Sequence, residues 1–112
     1  MRAMTIGAVL FALWPMLGQA EEWRALDGGA IKAALEGRSL NYGDASQNFA
    51  AGGVTVYSAD QPSTGAWRVD GNQFCSQWPP SDSWSCYDVE AKEGALRFIG
   101  ADGAVTQGTY ME

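Results

Sequence analysis

Residues 65–90 carry the sequence GAWRVDGNQFCSQWPPSDSWSCYDVE, in which apolar and polar side chains alternate on both sides of Asp70 and Gly71. Alternation with a period of two is typical of β-strands that bury one face. Asp-Gly between two such runs is a strong signal for a hairpin with a two-residue type I′ turn. That turn sets Trp67 opposite Phe74. The stretch therefore predicts a β-hairpin followed by a third strand.

Two cysteines add a second constraint on the same stretch. An even count with no thiol left over favours one intramolecular disulfide, and a disulfide between neighbouring antiparallel strands sets Cys75 opposite Cys86. A loop of this size gains on the order of 3 kcal/mol from such a bond. The disulfide then lies on the outer face, and apolar side chains share the other. That predicted core face consists of Trp67, Val69, Phe74, Tyr87 and Val89.

The rest of the chain after position 37 has the same texture, with short β-branched and aromatic stretches between Gly, Asp, Asn and Ser. It predicts a mainly β protein, an antiparallel meander of about seven or eight short strands that forms a small barrel or sandwich. One short helix is expected over 27–36, because Asp27 can cap it and Ile31 and Leu35 share a face. Strands are expected at 39–42, 47–50, 54–58, 65–70, 72–78, 84–90, 95–99 and 104–110.

The first 20 residues have the three-part layout of a secretory signal peptide. A positive start at Arg2 precedes an almost wholly apolar run over 6–17, and the small residues Gly18 and Ala20 suit a signal peptidase. The apolar run is shorter than the roughly 20 residues that cross a bilayer. We therefore expect cleavage between Ala20 and Glu21 rather than a membrane anchor.

The expected organisation is a signal peptide over 1–20 and a single β domain over 21–112, in the periplasm or secreted, with no transmembrane segment. All 13 acidic residues lie in that domain, against all but one of the 7 basic residues. A nucleic-acid partner needs a basic surface that displaces counterions from phosphates. DNA and RNA are therefore poor partners, and so is an anionic membrane surface.

Residues that catalysis and metal binding need are sparse. The chain contains no histidine, which removes the usual base of a nucleophilic triad. There is no nucleotide-binding glycine loop, and two cysteines this far apart fit no zinc spacing. We expect no catalytic residue, no metal and no cofactor. Paired carboxylates of a glycoside hydrolase are the weaker alternative, because the acids occupy turns where Asp usually bonds its own backbone. These acids are Asp44, Asp60, Asp70, Asp82 and Asp102.

Aromatic residues are the remaining candidates for function. Trp84 shares the predicted outer face with Cys86, and an exposed tryptophan beside a rigid hairpin can anchor a partner. Covering the disulfide is the simpler role for Trp84 and the one favoured by the sequence. Trp78 shares the inward phase of Phe74. The candidate binding surface consists of Trp84, Trp78 and Asp82.

The block also resembles a known pattern, G-x-W-x-V-x-G-x-x-x-C at 65–75, W-P at 78–79 and C-Y at 86–87. It is similar to that of small exported β-sheet proteins of unknown function from Gram-negative, mainly alphaproteobacterial, species. The resemblance implies a fold and no catalysis, because its residues are those of the predicted turn, core and disulfide. The layout is also similar to small periplasmic inhibitor barrels that plug lysozymes or proteases, a likeness of architecture that does not fix function.

Export, a disulfide-pinned sheet and the lack of catalytic groups favour a non-enzymatic domain that binds a protein or an envelope component, as an inhibitor does. Two alternatives stay open. One is a small-ligand carrier whose sheet closes into a calyx around an apolar cavity. The other is a purely structural envelope protein.

Overall fold

Nearly all of the domain after the expected cleavage point is described by the computed structural model, which covers residues 22–111. The expected signal peptide over 1–20 lies outside the described residues. Residues 22–111 form nine strands and one helix. Their bounds are β1 Arg24–Ala25, α1 Gly28–Leu35, β2 Arg38–Asn41, β3 Ser46–Phe49, β4 Val54–Ser58, β5 Pro62–Asp70, β6 Gln73–Gln77, β7 Trp84–Lys92, β8 Ala95–Ile99 and β9 Val105–Tyr110.

Strands β2 to β9 close into a barrel. Each is antiparallel to the next in chain order, and β9 returns to β2 by pairing Tyr110 with Leu40 and Thr109 with Asn41. Closure leaves no long free edge. The predicted mainly β meander with one short helix is confirmed, and the barrel is the form that it takes. The short strand β1, which the sequence did not predict, adds to the far end of β7 through Arg24 and Ala91.

The helix fills one end of the barrel. The Asp27 carboxylate accepts a hydrogen bond from the Ala30 N–H at 2.9 Å, which fixes the N-terminus where the sequence predicts it. Ile31 and Leu35 are fully buried in the same core cluster as the inward side chains of the strands. Within residues 22–111 no helix is long and apolar enough to cross a membrane.

The register of the β5–β6 hairpin corrects the sequence prediction. Val69 pairs with Phe74 and Trp67 with Ser76, so the expected pairing of Trp67 with Phe74 is wrong. The loop is Gly71-Asn72 rather than Asp70-Gly71, and only Gly71 has a positive φ, at 60°. A type I′ turn needs positive φ at both central residues, whereas a type II′ turn needs it at the first alone.

The register shift does not change which face is buried. Each partner moves by two residues, and only a shift by an odd number exchanges the two faces of a strand. Trp67, Phe74 and Val89 are buried, and the half-buried Val69 and Tyr87 pack against the same cluster. Although their backbones are not paired, the Trp67 and Phe74 rings remain neighbours, with centroids 6.2 Å apart.

The β6–β7 register agrees with the sequence prediction. Cys75 pairs with Cys86 and is bonded to it, and Phe74 pairs with Tyr87. The bonded pair faces away from the barrel interior, as expected. A disulfide between Cys75 and Cys86 indicates an oxidising, extracytoplasmic compartment.

Candidate functional site

The two ends of the barrel differ. The helix and buried apolar side chains fill one end, and the connections at the other end surround an open cavity of about 590 Å³, called here the cup. Alternate connections of an up-and-down barrel lie at the same end, which groups four of them around the cup. These mouth loops are residues 42–45, 59–61, 78–83 and 100–104.

The cup is lined by aromatic rings and uncharged polar groups. Most strands of the barrel contribute, because the inward side chains nearest the mouth loops belong to different strands. The aromatic lining consists of Tyr42, Tyr57, Phe74, Trp78, Tyr87 and Phe98. The polar lining consists of Gln47, Ser63, Thr64, Ser76 and Thr106.

Three rings form a continuous aromatic wall. The Tyr42 and Tyr57 rings are stacked, with centroids 6.0 Å apart and planes at 24°. Trp78 meets Tyr57 edge to face, at 6.4 Å and 81°. Tyr57 stands on the part of the β4–β5 hairpin that continues beyond the last β5–β6 pair, so this hairpin extends one side of the cup.

Two inward-facing glycines give these rings their places. A Cβ on Gly65 would lie 2.6 Å from Cε3 of Trp78, and one on Gly108 would lie 2.8 Å from Cε1 of Tyr42. Carbon atoms do not approach so closely, so a larger residue at either position displaces the ring. The rings therefore lie directly on the backbone of neighbouring strands, and the centre of the cup stays open.

A chain of hydrogen bonds supports the wall. The Tyr42 hydroxyl donates to Oε1 of Gln47 at 2.7 Å, and Nε2 of Gln47 donates to Oγ1 of Thr55 at 2.9 Å. The Thr55 hydroxyl donates in turn to the carbonyl oxygen of Asn48 at 2.6 Å. An amide nitrogen carries two hydrogens, so Gln47 keeps one donor for a ligand. The chain fixes the orientation of that donor.

A second donor also lines the cup. The indole Nε1 of Trp78 donates to Oγ of Ser76 at 3.1 Å. The Ser76 hydroxyl, which is buried, still has its own hydrogen to donate. The cup therefore combines aromatic faces with a small number of placed hydrogen-bond donors.

The cup itself is uncharged, but the mouth loops are acidic. Burial, and secondarily the neighbouring Tyr57, raise the pKa of Tyr42 well above its usual range, so its hydroxyl stays protonated. Each mouth loop carries one exposed aspartate and none carries a lysine or arginine. These aspartates are Asp44, Asp60, Asp82 and Asp102. All Lys and Arg residues within 22–111 lie in the helix or in strands.

The candidate binding surface predicted from the sequence does not form one patch. Trp78 lines the cup, whereas Trp84 lies half-buried on the outer wall, where the guanidinium carbon of Arg68 stands 4.0 Å from its ring centroid. Asp82 lies in the loop between them, and its carbonyl oxygen accepts a hydrogen bond from Gln77. Arg68, paired with Cys75, and Trp84, two residues before Cys86, flank the disulfide on this face.

Sequence reasoning missed most of the cup. A usable signal is nevertheless present: Gln47 and Ser76 are polar, but they share the inward phase of Phe49 and Phe74 in their strands. Polar side chains at inward positions of a barrel strand are buried and need partners. Among the described residues no group of three His, Cys, Asp or Glu side chains is placed to hold a metal ion.

Comparison of the chain with protein-family models, with curated proteins and with solved structures finds no match. The geometry of the cup and the mouth loops is therefore what bears on function.

Proposed function

We propose that this protein is a non-enzymatic binding protein of the periplasm or the extracellular space, and that it takes a small ligand into the cup. The disulfide supports an oxidising compartment. The signal-peptide pattern over 1–20 and the resemblance of the 65–87 block to exported Gram-negative proteins support export.

The observation that carries the proposal is the open cup at one end of a closed barrel. Its volume of about 590 Å³ lies in the range of small-molecule sites, which are concave, largely apolar and equipped with a few placed polar groups. The opposite end is solid, so the cavity does not depend on a missing core. Of the functions that the sequence leaves open, the small-ligand carrier fits this geometry best.

The chemistry of the lining supports binding over catalysis. Residues known to line the cup include no carboxylate, amine or imidazole that would transfer a proton near neutral pH. The half-buried Tyr42 hydroxyl has a raised pKa and already donates to Gln47. Rings and amide donors of this kind bind by stacking and hydrogen bonding.

The test is a search for small ligands with a variant that fills the cup. Thr106 lines the cup from β9 and is exposed, so Thr106→Trp adds a large ring there without disturbing buried packing. Gln107→Trp puts the same ring on the outer side of the same strand and is the matched control. We expect a fragment library, screened by NMR against the full chain, to yield ligands whose shifts cluster at the cup.

Those ligands should be lost from Thr106→Trp and kept by Gln107→Trp. Hits that map elsewhere, or that both variants retain equally, would contradict the proposal. Binding of a protein or an envelope component, which the sequence favours, remains a prediction. It would gain support if an envelope protein bound both variants and no small molecule bound the native chain.

A further inference from the structure

We infer that the ligand of the cup is an organic cation, a small amine or quaternary ammonium group attached to an uncharged body. This inference rests on the proposed function and adds the chemical class of the ligand. Three separate features of the described residues carry it: the ring faces in the cup, the placement of the chain's own cations, and the charge of the mouth loops.

The ring faces come first. An aromatic face carries partial negative charge and attracts a cation that lies within about 6 Å of its centroid. Tyr42, Tyr57 and Trp78 line the cup in two orientations, since Tyr42 and Tyr57 are nearly parallel and Trp78 is nearly perpendicular to Tyr57. Rings set at an angle around a cavity are the arrangement that recognises ammonium groups in aromatic cages.

The chain's own cations are placed on other rings. Arg38 lies over Tyr110 at 3.7 Å, at the end of the barrel that the helix fills, and Arg68 lies over Trp84 at 4.0 Å on the outer wall. Trp23, beside the end of β7, is contacted by both Lys92 and Arg97.

The Lys92 Nζ and the Arg97 guanidinium carbon lie 4.9 and 4.4 Å from the centroid of the Trp23 ring. Four of the cations in residues 22–111 are thus held by rings outside the cup, and in that same range no cation of the chain lies over a ring of the cup wall. The chain's own cations therefore do not compete for the rings of the cup.

The mouth loops set the sign of the ligand charge. One exposed aspartate in each loop, with no lysine or arginine there, gives the entrance a negative potential that concentrates cations and repels anions. A phosphate or carboxylate would have to pass these four aspartates and then enter a cup lined by aromatic rings that hold no cation of the chain. A neutral sugar stacks on the rings but gains nothing from the aspartates.

The cup is suited to an organic ion rather than a metal. Its volume of about 590 Å³ far exceeds the space of a metal ion. Uncharged rings and hydroxyls are also poor ligands for hard cations, which need several oxygens of carboxylates or carbonyls. Gln47 and Ser76 each offer a hydrogen to an acceptor on the body of the ligand.

The experiment compares two probes of equal shape and different charge. Choline chloride and its neutral isostere 3,3-dimethyl-1-butanol are titrated into the full chain and followed by NMR, with glucose as a neutral sugar. We expect choline to bind roughly tenfold more tightly than the isostere. Its affinity should fall as salt is raised, because the exposed aspartates are then screened.

Two variants of Tyr57 distinguish the contribution of its aromatic ring to binding from a general effect of substitution on the fold. Tyr57→Leu removes a ring that is more than one-third exposed, and should weaken choline binding about fivefold. Tyr57→Phe keeps the ring and should keep the affinity. Equal loss in both variants would show that the ring face is not the binding element and would overturn the inference.

The outcomes separate the inference from the proposed function. If the isostere or glucose binds in the cup as well as choline does, the cationic class is wrong and small-ligand binding stands. If no probe shifts a cup resonance, and the fragment ligands bind Thr106→Trp as well as they bind the native chain, the proposed function fails as well.

A last arm separates two sources of the ammonium group. Sedimentation with phosphatidylcholine vesicles but not with phosphatidylglycerol vesicles, lost in Thr106→Trp, assigns the cation to a lipid headgroup. Binding of free choline without such sedimentation assigns it to a free small molecule.

Discussion

The indole ring of Trp78 lies directly on the backbone of β5 at Gly65, so closely that a Cβ at position 65 would come within 2.6 Å of Cε3. The ring stands there as part of the aromatic wall, edge to face with Tyr57. The missing side chain of Gly65 is therefore what allows the cup to be both lined by Trp78 and open.

Gly65→Ala should destabilise the protein and move Trp78 into the cup. The added methyl group meets both the ring and the Gln77 carbonyl oxygen, and overpacking of this kind costs about 1–3 kcal/mol. Urea denaturation measures the loss, and the Trp78 indole NMR signal reports the movement. Gly52→Ala is the control, because nothing lies within 4 Å of a Cβ there. Equal stability of the two variants would contradict the close contact of Trp78 with the backbone at Gly65.

Thr55→Val should break the hydrogen-bond chain at its buried end. The side chain is fully buried, and the change leaves the amide of Gln47 and the carbonyl oxygen of Asn48 without their partner. Leaving such groups unsatisfied costs about 1–3 kcal/mol. Thr109→Val, on an exposed site, should change the free energy of unfolding by less than about 0.5 kcal/mol. A loss of unfolding free energy for Thr55→Val as small as that of the control would show that these hydrogen bonds do not stabilise the aromatic wall.

The free energy of unfolding should fall as pH rises above about 10. Burial raises the pKa of Tyr42 in the folded protein, so the unfolded chain loses this proton at a lower pH than the folded one does. The stabilisation is complete below the unfolded pKa and is lost through the interval up to the folded one.

Tyr42→Phe should make that decline shallower, as measured by urea denaturation at a series of pH values. A residual slope is expected from Tyr110, whose pKa is also raised, by burial and against the opposing effect of Arg38. In the double variant with Tyr110→Phe, the free energy of unfolding should depend on pH still less. An unchanged slope in both variants would contradict the raised values.

Replacing both cysteines by alanine should cost about 3 kcal/mol, because the bond closes a short loop between β6 and β7. Reduction of the native protein by dithiothreitol should give the same loss of stability by urea denaturation. A loss below about 1 kcal/mol in either case would mean that the reduced chain keeps the loop ordered without the bond.

The sequence was informative wherever local signals decide structure. Strands β4 and β8 have the predicted bounds, and the Asp27 cap begins the helix as predicted. The predicted β5–β6 register was wrong, because local signals do not include a contact that the turn makes with a distant segment. Asn72 accepts a hydrogen bond from the Gly28 N–H at 2.9 Å, 44 residues away in sequence.

The cup was harder to foresee. Alternation shows that Gln47 and Ser76 share a phase with core residues, but not which end of the barrel the helix fills. That end is decided by packing of Ile31 and Leu35 inside the closed barrel, which no local pattern contains. For Trp78 and Trp84 alternation was enough: it put Trp78 in the inward phase and Trp84 on the outer face, and these are the sides on which they lie.

The central claim is that the cup, rather than the outer wall around Trp84, is the binding site. The most direct test follows the indole N–H signals of the protein labelled with ¹⁵N-tryptophan during a ligand titration, with Trp78→Phe to assign the cup signal. We predict that ligands shift the Trp78 signal and leave the Trp84 signal in place, since Trp84 lies under Arg68 on the outside. A titration that shifts Trp84 and leaves Trp78 unmoved would contradict the account.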